Sequence, residues 1–505
     1  MPRQLRRLAF AWLLAVFTAS CGGGGDDVAN SGGIGGTGIS SGSISSFGSI
    51  FVNGFEFDLT GVPITIDDQT GTEADLQLGQ VVTVTTNIGT DGSVRVTKVD
   101  FDYNLEGPIS SAPQSDPDGL TKTFTVLGTT VIVDVDDTVF AVGYDFSSIL
   151  QDDVVQLSGF FDSNDVLHAK YIAKTGEFFP GIAVEAKGSI AELNTVTKTF
   201  KLRGLTVTYA GADLSGVAGG LQNDRFVEVK GTLQEAAGEV SASKIELEGP
   251  AQNAVAAAME GIITSFNSNG DFSIDSGNGP MHVDASAAAF DPPGLLLRND
   301  LEIEAEGSLV NGTLVATKVE LRSPLLKADA FVYEAQVPDM SRPRVGSLRL
   351  QFSPFPDETS MQIMPQMSML PLQVDDKTKM QDQGPMHLRE LTLADIMSGQ
   401  FVRLKARQGA GGILVVTQII RSKPKDITLR GPAEKPPTGN AGVTGRVVSI
   451  LGVRFDTDDL TDFEDINNAS ISADKFFEDV ANQTLIKVKD KNPANGIADE
   501  VEFEN

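Results

Sequence analysis

The chain repeats itself, and that restricts its fold more than any other feature. An alternating stretch, a turn and a second alternating stretch recur as "VVTVTTNIGTDGSVRVTKVDFD" from Val81, "VVQLSGFFDSNDVLHAKYIAK" from Val154, "VEVKGTLQEAAGEVSASKIELEG" from Val227 and "LEIEAEGSLVNGTLVATKVELR" from Leu301. Looser copies, "FVRLKARQGAGGILVVTQIIRS" and "LIKVKDKNPANGIADEVEFEN", begin at Phe401 and Leu485. Self-similarity at a fixed period is the signature of a repeat architecture. In the fourth copy Leu301, Ile303 and Ala305 alternate with Glu302, Glu304 and Glu306, the two-residue period of a half-buried strand. Asn311-Gly312 and Asp91-Gly92 at the tips are what a tight hairpin turn requires. The recurring element is a β-hairpin.

The residue before the apolar anchor of each second limb reads Lys98, Lys170, Lys244, Lys318, Gln418 and Glu500, at spacings of 72, 74, 74, 100 and 82. Five of the units also open on a glycine with an apolar residue one or two places on, at Gly42, Gly107, Gly188, Gly261 and, in the last, Gly445. Units of about seventy residues with some five short strands and no long amphipathic helix have the size of a small barrel, of which the oligonucleotide/oligosaccharide-binding (OB) type is one example. Closure also removes the exposed strand edges that so much β-structure would otherwise leave. The expectation is therefore an all-β chain of tandem small OB-like β-barrels in an elongated array. Its repeats are expected at 42–104, 105–182, 183–249, 250–327, 328–425 and 426–505, the fifth carrying a Met/Pro-rich insertion.

"GSISSFGSIFVNGFEFD" from Gly42, the stretch "LQLGQVVTV" from Leu76 to Val84 and the hairpin after it resemble the bacterial lipoprotein domain of unknown function 5666. The resemblance is clearest in the first unit and extends over most of the chain. It implies tandem β-domains on an exported lipoprotein, and it brings no catalytic residues with it.

The N-terminus agrees with export. Arg3, Arg6 and Arg7 precede the apolar run "LAFAWLLAVF" and a set of small residues, the layout of a secretory signal peptide over 1–20 and too short to span a bilayer as a helix. Thr18, Ala19 and Ser20 before Cys21 resemble a bacterial lipoprotein signal, which implies lipidation of the Cys21 sulfur. Several acyl chains would then hold the chain firmly on a membrane. An ordinary secretory signal with an incidental cysteine is the alternative. In the same pattern Gly22, where a retained lipoprotein has Asp, points to the outer membrane. The Gly/Ser-rich stretch 21–41 reads as a flexible tether, because it has too little apolar surface to offset chain entropy.

Charge and composition exclude several roles. The net charge of −29 becomes more negative once the signal is removed, and such a surface repels nucleic acid, whose binding needs Lys and Arg to displace counterions. The three histidines, His168, His282 and His387, fall in three different repeats, and no Ser/His/Asp set or zinc spacing accompanies them. An enzyme is not expected, and neither is a cofactor. Acidic runs at Asp67–Asp75, Asp134–Thr138 and Asp456–Asp465, and the loop from Asp490, suggest Ca²⁺ at most, since none has the EF-hand pattern. Met361, Met364, Met367 and Met369 in the insertion are either adaptable packing or a soft Cu(I) site. The reading is a lipid-anchored, non-enzymatic module of the cell envelope with a protein or glycan partner; metal handling is the alternative, and an enzyme acting on envelope polymers the third.

Overall fold

The computed structural model describes residues 36–505 except 48, 90–92, 117–118, 236–237, 250, 339–340, 353–368, 385, 387, 435–445, 482, 493–494 and 505. Cys21, His387, Met361, Met364, Met367 and the Asp91-Gly92 turn lie outside the described residues. The described chain is nearly all strand, with one α-helix among those residues, Ala473–Asp479.

The fourth repeat displays the unit. Its five principal strands are Ala254–Ser268, Asp271–Asp275, Pro280–Asp284, Glu302–Val310 and Thr313–Leu321. The first pairs with the second and the second with the third, both antiparallel; the third runs parallel to the fifth, the fifth pairs with the fourth, and the fourth returns to the first. This closed order, 1-2-3-5-4-1, makes a small OB-like barrel. The alternation dictates which side is filled: Phe272, Ile274, Val283, Ile303, Ala305, Leu314 and Val319 are all within 1 % of full burial. The third and fifth repeats close in the same order.

Two local devices recur. The fourth strand is entered through a residue at positive φ, namely Gly79 (80°), Asp152 (70°), Asp224 (68°), Asp300 (68°), Gly399 (84°) and Gln483 (71°), positions that favour Gly, Asn or Asp. Just upstream in five of the repeats an apolar residue, Leu76, Ile149, Leu297, Ile396 or Val480, is buried. The second device is a β-bulge in the hairpin of strands four and five. In the fourth repeat pairing skips Thr317, whose Oγ1 donates to Glu306 O at 3.1 Å and so satisfies a carbonyl near the interruption. Thr97, Ser243 and Thr417 do the same for Thr85, Lys230 and Lys405.

In the second repeat the residue skipped is Lys170. Its structural counterparts are therefore those hydroxyl residues, and the residue matching Lys98, Lys244 and Lys318 is Tyr171, followed by the buried Ile172. The corrected spacings are 73, 73 and 74 over the first four repeats. Periodicity alone assigned Lys170 by its charge, because a bulge shifts the register without any mark in composition.

First strands join barrels in pairs. In the second and third repeats, Leu105–Pro108 and Ile182–Asn194 pair antiparallel, Glu106 opposite Glu185 and Leu105 opposite Ala186. In the fifth and sixth, Leu326–Gln336 and Ile427–Pro432 pair in the same sense. In the first and fourth, Gly36–Ser46 and Ala254–Ser268 pair in parallel, Gly38 to Ser41 against Ala256 to Met259. Residues 36–41, expected in the tether, are thus strand. Residues 38–46 are buried, 38–41 of them between two neighbouring strands, and a Cβ on Gly38 would lie 2.4 Å from Thr86 Oγ1, so close packing requires the very residues that read as linker.

The chain divides into two compact units, the first holding repeats one to four and the second repeats five and six. Gly445, expected to open the sixth repeat, lies outside the described residues. The sixth repeat starts with Ile427–Pro432, whose Gly431 pairs with Ile486 as Gly261 pairs with Ile303, and Val447–Ile450 is its second strand. In the fifth repeat the longer connection falls between the second strand, Gly346–Gln351, and the third, Met369–Val374, where Met369 pairs with Gln351.

Candidate functional site

Charged side chains collect where repeats one, two and three of the first unit meet. Asp67 and Asp68 occupy the turn between the strands Ile64–Ile66 and Gln69–Gly71, both at positive φ (48° and 60°), so successive carboxylates project from the tip. Glu106 comes from the first strand of repeat two, Glu185 and Lys187 from the first strand of repeat three, and Glu228 and Lys230 from its fourth strand, Phe226–Leu233. Glu246 lies on the fifth, Val240–Leu247, with Glu248 just beyond. Inward positions of these strands are filled by the barrel core, so the alternate residues face the junction.

Lys230 is the hub. Its Nζ donates to Asp67 Oδ1 at 2.7 Å and Asp68 Oδ2 at 2.8 Å, with Glu228 at 3.4 Å and Glu185 at 3.6 Å. Lys187, 1 % exposed, stands among Asp102 and Glu228 at 3.5 Å and Glu248 at 4.0 Å, without a hydrogen bond at its Nζ. Carboxylates outnumber ammonium groups here, and burial makes that expensive. Burial pushes Glu185 far up, and the neighbouring Glu228 and Asp67 add to it; burial likewise raises Glu106, and raises Glu248 to about 7 against the pull of Lys187. For Asp67 burial acts upward too, but hydrogen bonds from Glu185 and Lys230 hold it below its ordinary value. Among the described residues, four carboxylate trios place one oxygen each within 4.8 Å of the others: Asp67/Asp102/Glu228, Asp67/Glu106/Glu185, Asp68/Glu228/Glu246 and, in the second unit, Glu464/Glu500/Glu502.

A second polar set fastens the same unit. Lys170 Nζ, in a side chain 4 % exposed, lies 2.6 Å from Asp137 and 2.8 Å from Glu302, tying repeat two to repeat four. Glu260 accepts from Ser43 N at 2.6 Å and Ser43 Oγ at 2.9 Å, and Asn53 donates to Ala258 O at 2.9 Å, tying repeat one to four. Asp275 accepts from Phe161 N at 2.6 Å.

The residues singled out from sequence do not converge. His168 bonds Asp162 at 3.1 Å and His282 bonds Asp271 at 2.9 Å, each a partly exposed pair within its own repeat. The run from Asp134 caps its own turn through Asp136 N, at 2.6 Å, and supplies Asp137 to Lys170. Asp458 accepts from Leu460 N, and Asp465 from Asn467 N and Ala469 N. Asp490 is fully buried, accepts from Asn492 N and is raised to about 6 by burial. Of the acidic runs, that at Asp67 is the one that enters the junction cluster. Glu106, Glu185, Lys187, Glu228 and Lys230 were not legible as a site. One signal was available: a charged residue immediately before the strand-one glycine, as in Glu106-Gly107, Lys187-Gly188, Glu260-Gly261 and Arg430-Gly431.

Three segments, 106–173, 187–246 and 260–320, match the model of the Domain of unknown function (DUF5666). Each opens on that pre-glycine residue and spans one barrel, so the three matched segments are tandem copies of the five-stranded unit. The matched repeats are the second, third and fourth. The first, where the resemblance is clearest to the eye, adds the short strand Gln69–Gly71 paired to Ile64–Ile66; Ile64–Ile66 itself runs parallel to the fifth strand, as Val139–Phe140, Asp213–Gly216, Ala289–Asp291 and Lys379–Asp382 do in repeats two to five. No curated protein matches the chain.

Proposed function

We propose that this chain is a non-enzymatic scaffold of the bacterial cell envelope, held on the outer membrane by lipid on Cys21 and built from DUF5666 barrels that present protein- or glycan-binding faces. The observation that carries the reading is the direct pairing of first strands between barrels, with Glu106 opposite Glu185 and Gly38 opposite Ala256. Barrels that share a sheet cannot move as beads on a string, and the buried Lys170 and Glu260 contacts constrain them further. Such a body suits spacing and display. The two described histidines, His168 and His282, each bond a neighbouring aspartate within their own repeat.

The faces left outward support binding of a polar partner other than nucleic acid. On strands two and three of the second and third repeats the outer positions include Thr123, Thr125, Thr130, Thr199, Lys201, Thr206 and Thr208. Phe124, Phe200 and Phe272 all point into their barrels, 1–2 % exposed, and so offer no stacking platform for bases. No helix of the described residues is long and apolar enough to cross a membrane, and the proposed attachment is the acylated Cys21.

The test is fractionation of envelopes containing the full chain or Cys21→Ala, followed by affinity capture with Cys21 intact. The reading expects the outer-membrane fraction to lose the Cys21→Ala protein, and the intact protein to retain a stoichiometric envelope protein or glycan. Unchanged membrane association of Cys21→Ala, or turnover of an envelope polymer by the purified chain, would sink it.

A further inference from the structure

We propose that Asp67, Glu106 and Glu185 form a binding site for a hard divalent cation, calcium, at the junction of the first three repeats. One oxygen from each lies within 4.8 Å of the others, and the three come from three different repeats. No single acidic run in the sequence contains the trio.

Two further observations point to a cation. Glu106 and Glu185 are direct cross-strand neighbours, an arrangement in which like charges destabilise the sheet unless something between them compensates. Glu185 is 3 % exposed, and no protein N–H or O–H donates to its buried Oε1. Its other oxygen faces Lys230 at 3.6 Å, but that ammonium is already bonded to Asp67 Oδ1 and Asp68 Oδ2. Each member keeps one oxygen directed elsewhere: Asp67 toward Lys230, Glu106 toward Gln156 Nε2 at 3.2 Å, and Glu185 toward Lys230.

The donors are all carboxylate oxygens, which suit hard cations, and Ca²⁺ tolerates irregular geometry and completes its shell with water. Magnesium demands a nearer octahedron and holds its own water tightly.

Terbium luminescence tests this on the full chain carrying Cys21→Ser, which keeps it free of lipid. The ring of Tyr103 feels the charges of Glu106, Asp67 and Glu185, and so lies near enough to sensitise Tb³⁺ bound among them. At physiological ionic strength the expected result is a saturable Tb³⁺ signal of one ion per chain, displaced by Ca²⁺ and far less by Mg²⁺, with Ca²⁺ raising the melting temperature relative to EDTA. Glu185→Gln and, separately, Glu106→Gln should weaken Tb³⁺ at least tenfold and remove the Ca²⁺-dependent melting shift. Both substitutions keep side-chain size, and a melting temperature in EDTA at or above that of the parent shows that the fold survives. Absence of any saturable signal in the parent, persistence of the signal and shift in both variants, or their loss in Glu464→Gln instead, overturns the proposal.

Discussion

Glu106 and Glu185 stand directly opposite each other across the strand pair that joins the second and third barrels. Arg430 and Lys327 hold the corresponding places between the fifth and sixth. The register of the junction is thus the same in both units, while its charge is reversed. A like-charged pair disfavours strand pairing wherever it occurs, so the backbone and the flanking apolar pairs, Leu105 with Ala186 and Leu429 with Ala328, set the register. The charged position is left for other purposes, the proposed calcium site among them.

Lys170 should be far more sensitive to substitution than Lys98, although both were read from sequence as the same position. Lys170 is buried between Asp137 and Glu302, and removing it leaves two carboxylates without their ammonium; Lys170→Met is expected to lower stability by about 3–5 kcal/mol. Lys98 pairs with Asp100 at the surface with half its side chain exposed, and Lys98→Met should change stability by less than about 1 kcal/mol. Denaturant unfolding of both variants checks the contrast, and equal effects would refute the bulge assignment.

Gly42→Ala should destabilise the first unit by about 1–3 kcal/mol, as overpacking of a tight interior does. The new Cβ would lie 2.4 Å from Asn53 Oδ1 and 2.9 Å from Glu260 Oε2. Neither group can retreat freely, because Asn53 Nδ2 donates to Ser41 O and Ala258 O and Glu260 holds Ser43. Gly176→Ala, with nothing within 4 Å of the added atom, is the matched control and should be near neutral in the same melt.

Hairpins, the repeat and the barrel class were legible because alternation and turn residues report which side of a strand is buried and where it ends. Residues 36–41 of the Gly/Ser strand Gly36–Ser46 were not, since composition measures how much apolar surface a segment brings and says nothing of a slot that admits only small residues. The junction cluster was hidden for another reason. Asp67, Glu106 and Glu185 are distant in sequence, and what unites them is the pairing of first strands, a feature of tertiary register. Even so, the acidic turn beginning at Asp67 and the glycines after Glu106 and Lys187 were visible as separate motifs.

Asp275 should make the first unit lose stability as pH rises. Burial lifts its pKa from 3.8 to about 6, despite the hydrogen bond from Phe161 N and the charge of Arg203. A raised carboxyl binds its proton more tightly in the folded state, so its contribution is fully present below about pH 4 and is lost as pH climbs through about 6. The shift corresponds to roughly 3 kcal/mol. Comparing unfolding free energies of the parent and Asp275→Asn between pH 4 and 7 isolates this term: the parent should fall relative to the variant across that window, and a constant difference would show that Asp275 does not titrate there.

Arg421→Lys should weaken the second unit although charge is conserved. Arg421 meets Asp382 with two bonds, Nε to Oδ1 at 3.0 Å and Nη2 to Oδ2 at 2.6 Å, and its Nη1 donates to Asp395 O at 3.1 Å. Asp382 has no side-chain exposure and also accepts from Gly384 N and Leu388 N, so this one pair ties the fifth strand, Leu414–Ser422, to two connecting segments. Burial acts to raise Asp382, but the bonds from Arg421 and the two amides hold it below its ordinary value. A lysine ammonium reaches one point of the carboxylate and cannot reproduce the planar fork, which leaves a buried oxygen and the Asp395 carbonyl short of donors. The expected loss is about 2–4 kcal/mol. Hydrogen exchange locates it: protection should fall across Leu414–Ser422 and its partner Phe401–Gln408 while that of Thr313–Leu321 in the first unit stays unchanged. Unchanged protection in Leu414–Ser422 would mean that the fork contributes no more than a single ammonium does.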